Sequence, residues 1–177
     1  MVVLIIGLIA GSGTGLYVGS FKKMRVQKAA YDLLLTAQYG RIMAIERNSK
    51  CTLVLDAGNN AFWLTRIQWD EEGEQVAEQV VKDPYCKPVQ FEGDVVFEDI
   101  QMAQSEFESE ADEEDESGGE QSIVFLPDGS AQTAAVQIGN GKTHYTVSIN
   151  AATGRAKLYS GTTEKVKITS TDLDMES

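Results

Sequence analysis

Few residues in this chain carry side chains that could do chemistry as a set. There is one histidine, His144, and two cysteines, Cys51 and Cys86. Any Ser–His or Cys–His nucleophile would have to be built on His144, and a His-rich metal site is excluded. Neither cysteine sits in a C-x-x-C pattern, so zinc binding and thiol exchange have no spacing to rest on. In an exported domain the two would form one disulfide, contributing about 3–4 kcal/mol by loop closure. The other reading is two buried thiols, and both stay open here. Asp128 lies inside Pro127-Asp128-Gly129, where it is a turn residue. His144 falls on the polar face of a strand and is expected to be exposed and idle. No nucleophile, base and oxyanion stabiliser come together. The expectation is a protein that is not an enzyme, with no catalytic residue, no cofactor and no metal.

Two glycine patterns need a decision. Gly11-Ser12-Gly13-Thr14-Gly15-Leu16 follows an apolar run, as a phosphate loop would. A dinucleotide fingerprint needs Gly or Ala where Leu16 stands, and no Gly-Lys-Ser/Thr triplet occurs for a Walker loop. The second pattern is Gly7, Gly11, Gly15 and Gly19, spaced every four residues. On a helix these make three overlapping G-x-x-x-G steps, a stripe that lets another helix approach closely. No residue from Met1 to Ser20 is charged. Twenty helical residues span about 30 Å, the thickness of a bilayer core. Residues 1–20 therefore read as a transmembrane anchor, with Gly7, Gly11, Gly15 and Gly19 as its helix-packing positions. The basic cluster Lys22, Lys23, Arg25 and Lys28 follows the run. Taken literally, that order keeps the rest of the chain in the cytoplasm, whereas a basic flank upstream of Met1 would reverse it.

Charge narrows the partners. The net charge is -12, and nine acidic residues with no basic one lie between Ser105 and Glu120. Without that run, 15 basic residues face 18 acidic ones, a net of -3. Nucleic acid is not an expected partner, since it needs a basic footprint. The run itself reads as a solvated, disordered loop. Asp112-Glu113-Glu114-Asp115-Glu116-Ser117-Gly118 lacks the alternating ligands and later bidentate Glu of a calcium loop.

The elements that must position these residues follow from periodicity. From residue 21 to residue 48, Val26, Ala30, Leu33, Ala37, Gly40 and Ala44 step by four and three, one face of an α-helix. The small residues on that stripe imply that something packs closely over it, and Leu34, Leu35, Ile42 and Ile45 widen the apolar surface. Nothing forces a break from the anchor, so the joint helix would be about 46 residues and roughly 70 Å long. Asn48 is its expected C-terminal cap. Cys51–Asp56 and Ala61–Arg66 then read as a hairpin around Gly58-Asn59-Asn60. Trp69 to Pro88 reads as polar and irregular. Short strand pieces follow at Val89–Phe91 and Val95–Phe97. Beyond the acidic run, Ser122–Leu126, Ala134–Ile138, the stretch through Tyr145, Val147 and Ile149, and Arg155–Tyr159 are separated by Pro127-Asp128-Gly129, Asn140-Gly141 and Ala152-Thr153-Gly154. These turns predict a four-stranded antiparallel meander. Trp63 and Trp69 are expected to pack on the helix. The domains expected are thus an anchor at 1–20, an amphipathic half-helix at 21–48, an antiparallel β domain at 49–169 carrying the loop at 105–120, and a flexible tail at 170–177. The fold class is α+β, a long N-terminal helix packed on an antiparallel sheet domain.

That arrangement resembles the type IV pilin superfamily. Met1-Val2-Val3-Leu4-Ile5-Ile6-Gly7-Leu8-Ile9-Ala10 is similar to the interior of that family's N-terminal segment. The basic residue, Gly, Phe and Thr-Leu-x-Glu that precede it in the family are not in this sequence. Ile123–Ala131, Val136–Ile138, Tyr145–Ile149 and Thr153–Leu158 resemble the C-terminal half of the GspH/FimT group, and Ala37–Leu55 resembles its helix end and first strand. The resemblance implies a minor pseudopilin of the type II secretion pseudopilus. Such a subunit is anchored once in the bacterial inner membrane with its β domain in the periplasm, and it bundles with other pseudopilins through the N-terminal helix. It also implies cleavage and methylation by prepilin peptidase if the motif lies upstream of Met1. A FimT-like minor pilin for pilus assembly or DNA uptake is the alternative; the acidic tail Thr171–Ser177 counts against it. A second alternative is a membrane-anchored β-domain binding protein facing the cytoplasm.

Overall fold

The computed structural model describes residues 14–69, 75–102 and 120–163, with the side chains of 14–19, 68–69 and 75–78 outside that description. Most of the anchor, with Gly7 and Gly11, lies outside the described residues, as do the acidic run up to Gly119 and the tail. Gly15 and Gly19 fall within a helix, α1, that runs Thr14–Arg47 without a break at residue 20. Among the described residues no helix is long and apolar enough to cross a membrane. The described residues hold 13 Lys and Arg against 11 Asp and Glu, so the chain's negative charge resides in the remaining segments.

α1 ends where its last carbonyls need partners. Asn48 takes the left-handed conformation, φ 48°. Ser49 N donates to Ala44 O at 3.2 Å and Asn48 N to Ile45 O at 3.3 Å. This is the paired-bond stop that asparagine or glycine permits.

Among the described residues nine strands follow: β1 (Cys51–Asp56), β2 (Ala61–Trp69), β3 (Gln75–Val80), β4 (Val89–Gln90), β5 (Val96–Met102), β6 (Glu120–Phe125), β7 (Ala134–Gly139), β8 (His144–Ile149) and β9 (Ala156–Ser160). They form two antiparallel sheets, ordered β3-β2-β1-β6 with β4 beside β2, and β5-β7-β8-β9. The stripe predicted on α1 is the face that covers them. Val26, Ala30, Leu33, Ala37 and Ala44 are essentially inaccessible. They join Leu53, Leu55, Phe62, Leu64, Ile123 and Phe125 of the first sheet, and Val136, Ile138, Val147 and Ile149 of the second, in one core. At Gly40 the approach is closest: a Cβ there would lie 2.9 Å from Leu64 Cδ2 and 3.2 Å from the Phe125 ring.

Three expectations are corrected. The stretch after Trp69 is not wholly irregular. β3 pairs with β2 from Thr65↔Val80 to Trp69↔Gln75, because backbone bonding to a neighbour holds an edge strand whose side chains carry little pattern. The four-stranded meander is three strands. β6 starts a hairpin toward the next segment, with a Phe125↔Ala131 bridge, but pairs along its length with β1 from Cys51↔Phe125 to Asp56↔Glu120. The chain then crosses to the second sheet, where β5 takes the fourth place. Trp63 does not face α1: Phe62 and Leu64 are fully buried on the helix side, and alternation along a strand turns Trp63 to the other face.

Two predictions test this packing, both read by urea unfolding of the full chain in detergent. Gly40→Leu loses about 2 kcal/mol, because overpacking against Leu64 and Phe125 outweighs the gain in helix propensity. Leu64→Ala in the same chain recovers part of that loss. Asn48→Gly leaves stability within about 0.5 kcal/mol, whereas Asn48→Val costs about 1–2 kcal/mol through the left-handed backbone.

Candidate functional site: the outer face of the helix

The surface of α1 opposite the core is also apolar. Met24, Tyr31, Leu35 and Ile42 lie about 160° around the helix from the buried stripe, at 100° per residue. Phe21 and Ile45 flank them. Met24 is 63% exposed, Leu35 59% and Ile42 46%; Phe21, Tyr31 and Ile45 are comparably open. The steps 3, 7, 4, 7 and 3 keep these residues on one side of the helix, with Lys28 and Gln38 at intervening places, and such a seam is one on which helices pack. Leu35, Ile42 and Ile45 were expected to widen the core face. The helical angle puts them outside it, and the seam was legible in the sequence by the same count.

The ends of the seam are fixed to the β domain. Near its start, Lys22 Nζ pairs with Asp94 Oδ2 at 2.8 Å, and Arg25 stacks on the Phe21 ring, 4.6 Å from its centroid. Toward the other end, Arg41 Nε donates to Thr153 O at 2.6 Å and to Gly129 O at 3.3 Å. One guanidinium thereby holds both the Pro127-Asp128-Gly129 turn and the Ala152-Thr153-Gly154 turn against the helix. Asp128 plays the turn role expected of it, accepting from Ser130 N at 2.9 Å and Ser130 Oγ at 2.6 Å.

Beside the last turns of α1 lies a recess of about 320 Å³. Arg47, Arg66 and Lys82 line it together with Met43 and Val81. Among the described residues lining it the acid is Asp83, which accepts from Tyr39 OH at 2.5 Å, Tyr85 N at 2.9 Å and Cys86 N at 2.7 Å. The Tyr39 bond is the main cause holding the Asp83 carboxyl below its usual range. The same bond, with burial adding to it, pushes the Tyr39 hydroxyl up to about 12.

His144 is not idle, contrary to expectation. Its Nδ1 lies 2.6 Å from Glu98 Oε2, which also accepts from Gln137 Nε2 at 2.6 Å, while Gly141 N donates to Oε1 at 2.8 Å. Glu98 sits at the register shift between Phe97 and Asp99. The bulge re-aims its side chain over Gly139, where a Cβ would stand 2.3 Å from the carboxylate. A bulge leaves no mark in composition, so Glu98 was missed. Gln137 Oε1 in turn accepts from Thr163 N at 2.9 Å, and Thr163 Oγ1 donates to Asp99 Oδ2 at 2.7 Å. The cluster ties β5, β7 and β8 together.

The remaining sequence candidates are not brought together. Cys51 and Cys86 are both buried thiols with no bond between them; Cys51 Sγ donates to Thr65 O at 3.3 Å, and burial pushes the Cys86 thiol up to about 11. Among the described residues no group of three His, Cys, Asp or Glu is gathered for a metal ion.

A long helix whose inner face carries two antiparallel sheets and whose outer face is an exposed apolar seam has a pilin-like fold. The model of the family described as type II transport protein GspH matches residues 29–153. The chain belongs to that family, and family and fold together make it a minor pseudopilin of type II secretion. Two solved structures of the minor pseudopilin EpsH from the type 2 secretion system of Vibrio cholerae share the fold. One superimposes with a TM-score of 0.57 at 11% identity, over 77% of this chain and 97% of EpsH. The other gives 0.58 at 12% identity, over 79% and 97%. No curated protein sequence matches the chain.

Glu98 yields a pH prediction. Burial alone would raise its pKa, but the bonds from Gln137, His144 and Gly141 N outweigh that and hold it below the usual glutamate value. Its contribution is therefore full above the unfolded glutamate value and is lost as pH falls through the folded one. Urea unfolding between neutral and acid pH should show Glu98→Gln less stable by about 1–2 kcal/mol at neutral pH. The difference from the parent chain should shrink on acidification.

Proposed function

We propose that this chain is a non-catalytic building block of a secretion filament, anchored once in the bacterial inner membrane with its β domain in the periplasm. It assembles with other pseudopilins along α1. The observation that carries this reading is the seam from Phe21 to Ile45, six large apolar side chains left open on a helix whose other face is sealed. An exposed apolar patch of that length on a protein body marks a contact surface. The glycines at 7, 11, 15 and 19 extend the same logic into residues 1–20, where small side chains suit helix-to-helix packing in a bilayer. The membrane anchor, the periplasmic side and the processing by prepilin peptidase are parts of this proposal, supported by the family and by the uncharged run Met1–Ser20.

A strain lacking its own copy of this subunit provides the test. The chain should restore secretion of the host's exported proteins. Leu35→Asp with Ile42→Asp should keep the melting behaviour of the β domain and abolish that restoration. A phosphatase reporter fused to the C-terminus should be active only if the domain lies outside the cytoplasm. Undiminished secretion with both aspartates in place would overturn the assembly role of the seam, and an inactive phosphatase would overturn the periplasmic placement.

A further inference from the structure

We infer that the recess at the foot of α1 is a docking site for an acidic, extended peptide segment of an adjoining filament subunit. The inference rests on the assembly reading above and adds the chemistry of the partner. Three cations from separate elements meet there: Arg47 from the last turn of α1, Arg66 from β2 and Lys82 from the segment after β3. Among the described residues the ion pairs are Lys22–Asp94 and His144–Glu98, and neither includes one of the three. Arg66 Nη2 donates to Gln79 Oε1 at 3.3 Å, and among the described residues it has no carboxylate partner. Asp83, the acid in the lining, is held by its own three donors and does not serve them.

Uncompensated cations of one sign repel one another, and they persist side by side where a partner supplies the opposite charge. The floor fits a carboxylate on a short apolar stem. Met43 and Val81 are buried and line the recess together with the cations, so a Glu or Asp side chain entering there exchanges water for two forked guanidinium groups that match its geometry. The rim fits an extended backbone, because β3 is the outermost strand of its sheet and an edge strand can receive a further extended segment. The recess lies on the flank of α1 that carries Tyr39, Met43 and Arg47, with Met43 about 100° around the helix from Ile42. A subunit packed along the seam would stand next to that flank.

A peptide is favoured over a nucleic acid. The three cations sit in a hollow of about 320 Å³ rather than along a ridge.

The test uses the full chain in detergent micelles and a fluorescein-labelled oligoglutamate peptide of about a dozen residues, read by anisotropy at about 50 mM salt, where surface charges are weakly screened. A Gly-Ser peptide of equal length and a short DNA duplex serve as comparison probes. The oligoglutamate should bind and the Gly-Ser peptide should not. Arg47→Gln, Arg66→Gln and Lys82→Gln should each weaken binding at least about fivefold, and the triple variant should abolish it, whereas Arg155→Gln, outside the recess, should leave it unchanged. Circular dichroism keeps folding under control. Equal binding of the two peptides, no binding, insensitivity to the three substitutions, or tighter binding of the duplex through the same residues would each overturn the inference. Loss of the seam's role in secretion with oligoglutamate binding intact would instead refute the assembly reading and leave the recess standing as an acidic-peptide site.

Discussion

The structure depends on how closely α1 can lie on two sheets at once. Leu64 and Phe125 reach the helix backbone only because position 40 carries no side chain. Ala30, Ala37 and Ala44 keep the rest of the contact equally shallow. Close packing of this kind gains dispersion energy over many small contacts. It also settles the orientation of the helix about its own axis. With the small stripe turned inward, Met24, Tyr31, Leu35 and Ile42 can only point out. The buried face thus determines the exposed one, and the surface proposed for assembly is a consequence of the core.

The loops reinforce that orientation. Arg41 joins two turns that are distant in sequence but adjacent in space, the one after β6 and the one before β9. Lys22 and Asp94 do the same nearer the start of the described helix. The second sheet has its own brace on the side away from the helix. Thr146 is fully buried there, its hydroxyl donating to Gly161 O at 2.8 Å. The chain after β9 thereby crosses the sheet to place Thr163 on Gln137 and Asp99. Polar groups at these positions are satisfied within the body.

Much of this was legible in residue order. A period of 3.6 with small residues marked the inner stripe, and the Asn48 stop, the first hairpin and the Asn140-Gly141 turn follow from local chemistry alone. What escaped depends on contacts distant in sequence. β3 is held by its neighbour's backbone rather than by its own pattern. β6 has a turn after it that predicts a hairpin, but the hairpin stops at one bridge, and the long pairing of six residue pairs is with β1, far away in sequence. Glu98 is aimed by a one-residue register shift that no window of sequence reveals. The recess is assembled from α1, β2 and the segment after β3, so its three cations look scattered until the chain folds.

The central claim is that one face of α1 is reserved for other subunits. It is tested most directly by placing a cysteine at position 35 and comparing its reaction with a maleimide in two settings. Cys51 and Cys86 are buried and give little background. In the purified full chain the cysteine at position 35 should label rapidly, and in cells assembling the complete secretion machinery it should be protected. Equally fast labelling in both settings would contradict the account.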